Sequence, residues 1–275
     1  TLLDAETIGW GASGRNGGFC CLGGGILSNA QIDKRFGTDA RHAWRTAEKD
    51  AIKHVSGLLE RYKIDADAHS KGETLLAHKA KRWATLQQHA DEVAESYGVE
   101  PTLIPKSELA DHGLNGPFHG ALTNPIGFAL NPLKYALGIA EAARRAGARF
   151  FEQSPVIRLE QGAQFTLHTP KGRITAKRLI IATNGYSSED VPNWLATRFM
   201  PVQSSVLVTR SLTDEELANA GWTSDQMAFD SRNLLHYFRL MPSRQFLFGM
   251  RGGIFANARS DAKIKGLIRS DFEQM

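Results

Sequence analysis

The chain opens with Leu2-Leu3-Asp4-Ala5-Glu6, followed by Ile8-Gly9-Trp10-Gly11-Ala12-Ser13-Gly14-Arg15-Asn16-Gly17-Gly18. Two apolar residues ending on an acid predict the close of a buried parallel strand. In a dinucleotide-binding βαβ unit, an acid at that place accepts hydrogen bonds from the ribose hydroxyls. Residues 11–18 hold four glycines in eight positions, interleaved with Ser13, Arg15 and Asn16. Glycine lets backbone come close to a ligand, and arginine offers a fork for phosphate oxygens. The phosphate-binding glycine turn of such a unit lies about 20 residues ahead of the acid. It is not in this sequence, so the chain is expected to lack its first βα unit.

Beyond the bend, apolar residues at Trp44, Ala47, Ala51, Ile52, Val55, Leu58, Leu59 and Tyr62 predict a helix from Thr38 to about Tyr62. Leu75-Leu76-Ala77 predicts a short strand. A second amphipathic helix carries Trp83, Leu86, Ala90, Val93 and Tyr97, with Gly98 as its stop. Thr102-Leu103-Ile104 predicts a strand, with Ser107 capping a short helix after it. The glycine-bearing stretch from Gly120 to Leu130 is expected to be irregular. Asn131 then caps a helix with Pro132 in its first turn. Strands are expected at Arg149-Phe150-Phe151, at Val156-Ile157-Arg158-Leu159 and around Phe165 and Ile174, with a turn at Thr169-Pro170-Lys171-Gly172. Arg178-Leu179-Ile180-Ile181-Ala182 reads as an apolar strand that breaks at Thr183-Asn184-Gly185. Such a break presents backbone amides at the carboxyl edge of a parallel sheet, where nucleotides bind.

The run Leu-Leu-Asp-Ala, a short spacer and Gly-Ala-Ser-Gly-Arg-Asn-Gly-Gly, followed in order by Asn131-Pro132, Pro155-Val156 and Ala182-Thr183-Asn184-Gly185, resembles the D-amino-acid oxidase-like (DAO) superfamily. That superfamily comprises FAD-dependent amine and amino-acid oxidoreductases, and the resemblance is closest to its gamma-glutamylputrescine oxidoreductase branch. The branch commonly has Glu where this chain has Asp4, which keeps the charge. The resemblance implies an α/β (α+β) fold, with an FAD/NAD(P)-binding Rossmann-like domain interleaved with an antiparallel-sheet substrate domain, incomplete at both ends. It assigns residues 1–75 and 100–200 to the cofactor domain, and residues 76–99 and 201–275 to the substrate or roof domain. It implies FAD contacts from Asp4, Gly11, Ala12, Ser13, Gly14, Arg15, Asn16, Gly17, Gly18, Val156, Ala182, Thr183, Asn184 and Gly185.

The chemistry so implied is hydride transfer from an amine or amino acid to flavin N5. Imine hydrolysis and reoxidation by dioxygen or another electron acceptor would follow. The cofactor performs the difficult step, and the protein orients the substrate and excludes water. No Ser-His-Asp or Cys-His signature competes with this reading.

From Met200 onward the pattern turns β-rich. Val202 to Val208 predicts a strand, Thr213 caps a helix at Asp214–Ala220, and Leu234–Leu240 pairs with Gln245–Gly249 across Pro242-Ser243-Arg244. In the resembled family such a sheet roofs the flavin. Tyr237 is the first catalytic candidate, with His236, Arg239 and Arg251 beside it; Arg251 precedes Gly252-Gly253. Alternation puts His236, Phe238 and Leu240 on one strand face and Tyr237 and Arg239 on the other. A helix is expected from about Asp261.

Of 275 residues, 42% are hydrophobic and 23% charged, with a net charge of +4. These values suit a globular protein and supply no basic stripe for nucleic acid. Cys20 and Cys21, the only cysteines, are adjacent, which disfavours a disulfide framework and suits a reducing, cytoplasmic setting. A flavin link through either is the lesser reading beside two small side chains next to a glycine turn. His54, His69, His78, His89 and His112 fit no closed metal site, and no run spans a bilayer. Two alternatives stay open: a flavoprotein hydroxylase or NAD-linked dehydrogenase of similar architecture, and a non-catalytic module.

Overall fold

The computed structural model describes residues 1–251 and 258–275. Its first strand, β1 (Leu2–Leu3), is followed by the glycine bend and β2 (Phe19–Cys20). Helices α1 (Asn29–Phe36) and α2 (Thr38–Tyr62) lead to β3 (Glu73–Leu76), α3 (Ala80–Tyr97) and β4 (Thr102–Pro105). Next come β5 (Gly120–Asn124), β6 (Phe128–Ala129), α4 (Pro132–Arg145) and β7 (Phe150–Phe151). A three-stranded antiparallel unit, β8 (Arg158–Gln161), β9 (Phe165–Thr169) and β10 (Gly172–Ala176), is followed by β11 (Ser204–Ser211) and α5 (Asp214–Ala220). The chain then forms β12 (Met227–Asp230), β13 (His236–Leu240), β14 (Gln245–Arg251) and α6 (Ala258–Glu273).

A seven-stranded sheet, ordered β11-β14-β13-β12-β3-β5-β4, dominates; only β12 and β3 pair in parallel within it. It takes strands from both residue sets that the resemblance assigns to separate domains, because β3, β4 and β5 continue the ladder begun by β11 to β14. One sheet face carries Leu76, Ala121, Ala228, Phe238, Phe246 and Phe248, closed over by Trp222, Phe118 and Ile268 of α6. On the opposite face Leu75 and Leu122 lie under Leu86 and Ala90 of α3. The same face holds Tyr237 and Arg239 further along, by alternation and by the register Leu75↔Phe229↔Tyr237. That end is covered by the glycine bend.

The caps explain several boundaries. Ser28 and Thr213 each make a capping box, and Asn131 accepts from the Leu133 and Lys134 amides ahead of Pro132. Four expectations need correction. Gly120 to Leu130 is not irregular: β5 sits between β3 and β4, almost wholly buried, because Ala121, Leu122 and Thr123 supply a ladder that the flanking glycines obscure. Ser107 caps nothing; it lies inside a 3₁₀ turn, Lys106–Glu108, that begins from the extended Pro105. Arg178–Ala182 forms no strand: no described strand lies alongside, and Ile180 is 89% exposed. A strand without a ladder partner has nothing to fix it. Val156 and Ile157 precede β8 and do not belong to it. β12 was not expected at all, and Gly252 and Gly253 lie outside the described residues.

Among the described residues no helix is long and apolar enough to cross a membrane, and no group of His, Cys, Asp and Glu could hold a metal ion.

Candidate functional site

Asp4 stands at the carboxyl end of β1, which runs parallel to β7 through Leu2↔Phe150 and Leu3↔Phe151. Its Oδ1 accepts from the Glu6 amide at 2.9 Å, and its carbonyl accepts from Ser154 N at 2.8 Å. The structure thus sets Asp4 beside the segment that reaches Val156, as a parallel nucleotide edge requires. Oδ2 has no acceptor role toward any described residue.

The bend that follows is held by its own atoms. Gly14 N donates to Gly11 O at 3.2 Å and Arg15 N to Ala12 O at 3.3 Å. The Asn16 amide donates to Ala12 O at 2.9 Å, and its carbonyl accepts from Gly18 N at 2.8 Å. Asn16 therefore shapes the bend with both ends of its side chain. The backbone N–H groups of Gly11, Ala12, Ser13, Asn16 and Gly17 have no acceptor among the described residues. Ala12, Ser13 and Arg15 are exposed, while Gly17 and Gly18 are buried. The Arg15 guanidinium lies 4.4 Å over the Trp10 ring.

Trp10 also meets Tyr186 edge-on at 5.8 Å, and a Cβ on Gly11 would stand 3.0 Å from the Tyr186 ring. This contact brings the bend to the exposed turn containing Ala182, Thr183, Asn184 and Gly185, about 170 positions away in the chain. There Tyr186 N donates to Thr183 O at 3.0 Å, and the Thr183 and Ser187 hydroxyls meet at 2.5 Å.

The roof strand β13 closes the other side. Tyr237 meets Phe19 edge-on at 5.7 Å, and its hydroxyl bonds Ser204 Oγ of β11 at 2.8 Å. Its ring fills the space that a Cβ on Gly17 or on Gly249 would occupy. Arg251 ends β14 opposite Ser204, exposed and on the Tyr237 face by alternation.

The structure does not bring His236 to this site. It faces the core, 5.1 Å from the Phe248 ring, with Nδ1 3.2 Å from Asp230 Oδ2 and Nε2 3.3 Å from Asp271 Oδ2 on α6. Arg232 also pairs with Asp230. Burial pushes the Asp230 carboxyl up, but hydrogen bonds from His236 and the Arg232 amide outweigh it and hold the carboxyl below its usual range.

Two residues on the Tyr237 side of the sheet have no role at this site in the sequence reading: Glu73 is not singled out, and His69 reads only as a histidine outside any metal site. Glu73, paired in register with Met227 and Asn124, is pushed up to about 7 by burial, against a hydrogen bond from the Cys21 thiol. Burial and the Glu73 carboxyl push Cys21 well above the ordinary thiol range, which makes it an unreactive side chain. His69, on the loop before β3, receives a hydrogen bond from Arg239. Nothing local marks either: their partners lie 52 and 170 positions away. A flavin dinucleotide fits this donor set: a strand-tip acid suits ribose hydroxyls, and the unpaired amides with Arg15 suit an oxygen-rich, anionic linker.

A family model described as FAD dependent oxidoreductase (DAO) matches residues 1–274. The gamma-glutamylputrescine oxidoreductase of Escherichia coli (strain K12) is 30% identical over 273 residues, covering 97% of this chain and 62% of that protein. A probable oxidoreductase, OrdL, of Haemophilus influenzae is 28% identical over 253 residues, covering 90% of this chain and 58% of the relative. The chain therefore spans less than two thirds of the length of these curated relatives. Among solved structures, glycine oxidase from Bacillus cereus ATCC 14579 superposes with a TM-score of 0.68 at 16% identity, covering 94% of this chain and 67% of that one. Iminodiacetate oxidase from Chelativorans sp. BNC1 gives 0.64 at 13% identity, covering 95% and 69%. At such identities the likeness is one of fold. Because the family match runs from the strand-tip acid to the end of α6, the chain belongs to the DAO family of FAD-dependent oxidoreductases.

Proposed function

We propose that this chain is the ribose-binding edge, glycine bend and roof of an enzyme that oxidises an amine or amino acid. A polyamine conjugate of the gamma-glutamylputrescine kind is the favoured substrate, since that oxidoreductase is 30% identical over 97% of this chain, whereas the glycine and iminodiacetate oxidases are alike in fold at 16% and 13% identity. When bound, FAD supplies the two-electron oxidant, and dioxygen or another electron acceptor restores it. The observation that carries this reading is the placement of the glycine bend, with Asp4 on one side and the Tyr237 face of the roof strand on the other.

The residues divide the work. Asp4 holds the ribose hydroxyls through its uncommitted oxygen. The unpaired amides of the bend and the 182–185 turn hold the cofactor's oxygens, and Val156 borders the adenine side. Tyr237, held upright by Ser204, walls the reaction space with Phe19 and keeps water from it. Arg251, exposed at the end of β14, offers a cation for a substrate carboxylate. The cofactor and roof regions share the seven-stranded sheet.

The test is the full-length protein, purified and inspected for the absorption bands of oxidised flavin, then assayed for peroxide or dye reduction with a panel of amines. Gamma-glutamylputrescine is expected to reduce the flavin faster than glycine or sarcosine. A colourless protein that takes up no FAD would sink the reading.

A further inference from the structure

We propose that Arg239 is a positioning residue that clamps the glycine bend in its cofactor-receiving shape and gives the bend a permanent positive charge. The inference rests on the FAD reading above.

Arg239 is 1% exposed, yet no carboxylate among the described residues lies within ion-pair distance. Its three nitrogens all donate elsewhere: Nε to Gly17 O at 2.9 Å, one terminal nitrogen to Leu130 O at 2.8 Å, and the other to His69 Nε2 at 3.0 Å. His69 Nδ1 meets Asp67 O at 2.7 Å. Nδ1 is thus the donor and the ring is neutral, so Nε2 is free to accept. Burial and the neighbouring guanidinium hold His69 below the usual histidine range, in agreement with that state. Burial brings Arg239 itself down to about 10, still charged at neutral pH.

Asp67 acts on this guanidinium only from beyond ion-pair distance and is itself paired with Lys134, so the buried charge is costly where an apolar side chain would not be. The geometry shows what it does there. Leu130 N donates to Gly18 O at 2.9 Å, so the guanidinium spans both backbones of that contact. It joins three segments: the bend at Gly17, the stretch entering α4 at Leu130, and the loop carrying His69, which exchanges two backbone bonds with Ala129. Tyr237, two positions earlier on the same face, presses its ring on Gly17. Strand β13 therefore grips the bend at two points. The same bend carries the unpaired amides, including those of the exposed Ala12, Ser13 and Asn16, whose partial positive charge has the same sign as the cation. Both favour an anionic group of the cofactor.

The test uses the full-length protein and three readouts: FAD affinity by quenching of flavin fluorescence, the midpoint potential of the bound flavin, and the melting temperature without FAD. Arg239→Lys keeps the charge and loses the fork. We expect about tenfold weaker FAD binding, the loss of one charge-assisted hydrogen bond, with the potential nearly unchanged. Arg239→Gln removes the charge and is expected to make the potential more negative as well. Variants that melt earlier but bind FAD with unaltered affinity and potential would show a purely structural arginine and overturn the proposal. If neither variant folds, His69→Leu leaves the arginine in place and removes one of its acceptors. Weaker FAD binding there supports the proposal, and unchanged binding overturns it. A wild-type protein that binds no FAD would refute the functional reading itself, a separate outcome.

Discussion

Position 18 shows how little freedom the bend leaves its residues. Gly18 has φ +71°, and a Cβ there would overlap Leu130 O, a backbone atom with no room to move. Gly18→Ala is expected to lower stability by about 2 kcal/mol or more, read from chemical denaturation. Asp4 makes the opposite case, since its carboxylate takes one local hydrogen bond and is otherwise open. Asp4→Ala should leave the melting temperature of the apoprotein within a few degrees while lowering the flavin retained through purification. Equal flavin content would reduce Asp4 to a strand-end cap. Glu73 carries a pH signature. Its folded-state value of about 7 lies above the ordinary carboxylate value, so folding favours its protonated form. Its contribution is fully present below about pH 4 and is lost as pH rises toward 7. Glu73→Gln should flatten the decline between those values and leave the variant more stable at pH 8, by roughly 1 kcal/mol after allowance for partial solvent contact. A wild-type-like pH profile in the variant would show that the carboxyl is already ionised in the fold.

Helices with a clean stripe and a cap were legible as elements: α2, α3 and α4 lie where periodicity, Gly98 and Asn131-Pro132 put them. Strands were legible where short apolar or β-branched runs stood between turn residues, as in β3, β4, β7, β9, β10, β13 and β14. β5 was hidden because glycine and proline at its ends look like loop, while its partners β3 and β4 alone make it a strand. The apolar run at Ile180-Ile181 erred the other way, since composition cannot show that a ladder partner is lacking. Helix α6 is fixed by packing: Ile268 enters the aromatic core, Phe272 meets Phe246 and Phe248 at 5.9 and 5.7 Å, and Asp271 reaches His236. Ile268→Ala should cost about 2–4 kcal/mol and raise amide exchange throughout α6, measured by hydrogen–deuterium exchange. Exchange confined to the last turn would mean that the polar clasp at His236 holds the helix.

At the scale of the molecule, cofactor binding and folding are linked, because the bend, the roof strand and the 182–185 turn come together only in the native state. FAD at 100 times its dissociation constant should therefore stabilise the full-length protein by about 2.7 kcal/mol, seen as a concentration-dependent rise in melting temperature. A melting temperature independent of FAD would contradict a site built from these three segments. The residues of the bend and its neighbours, in order, determined the family and hence the cofactor class, because glycine spacing and a strand-tip acid are local constraints that the chain writes contiguously. Only the tertiary structure decided which face of β13 meets the bend, sent His236 into the core with Asp230 and Asp271, and placed Arg239, Glu73 and His69 around Gly17 and Cys21. Those pairings join residues up to 222 positions apart, and long-range packing of this kind depends on sheet register, which no short stretch of sequence records.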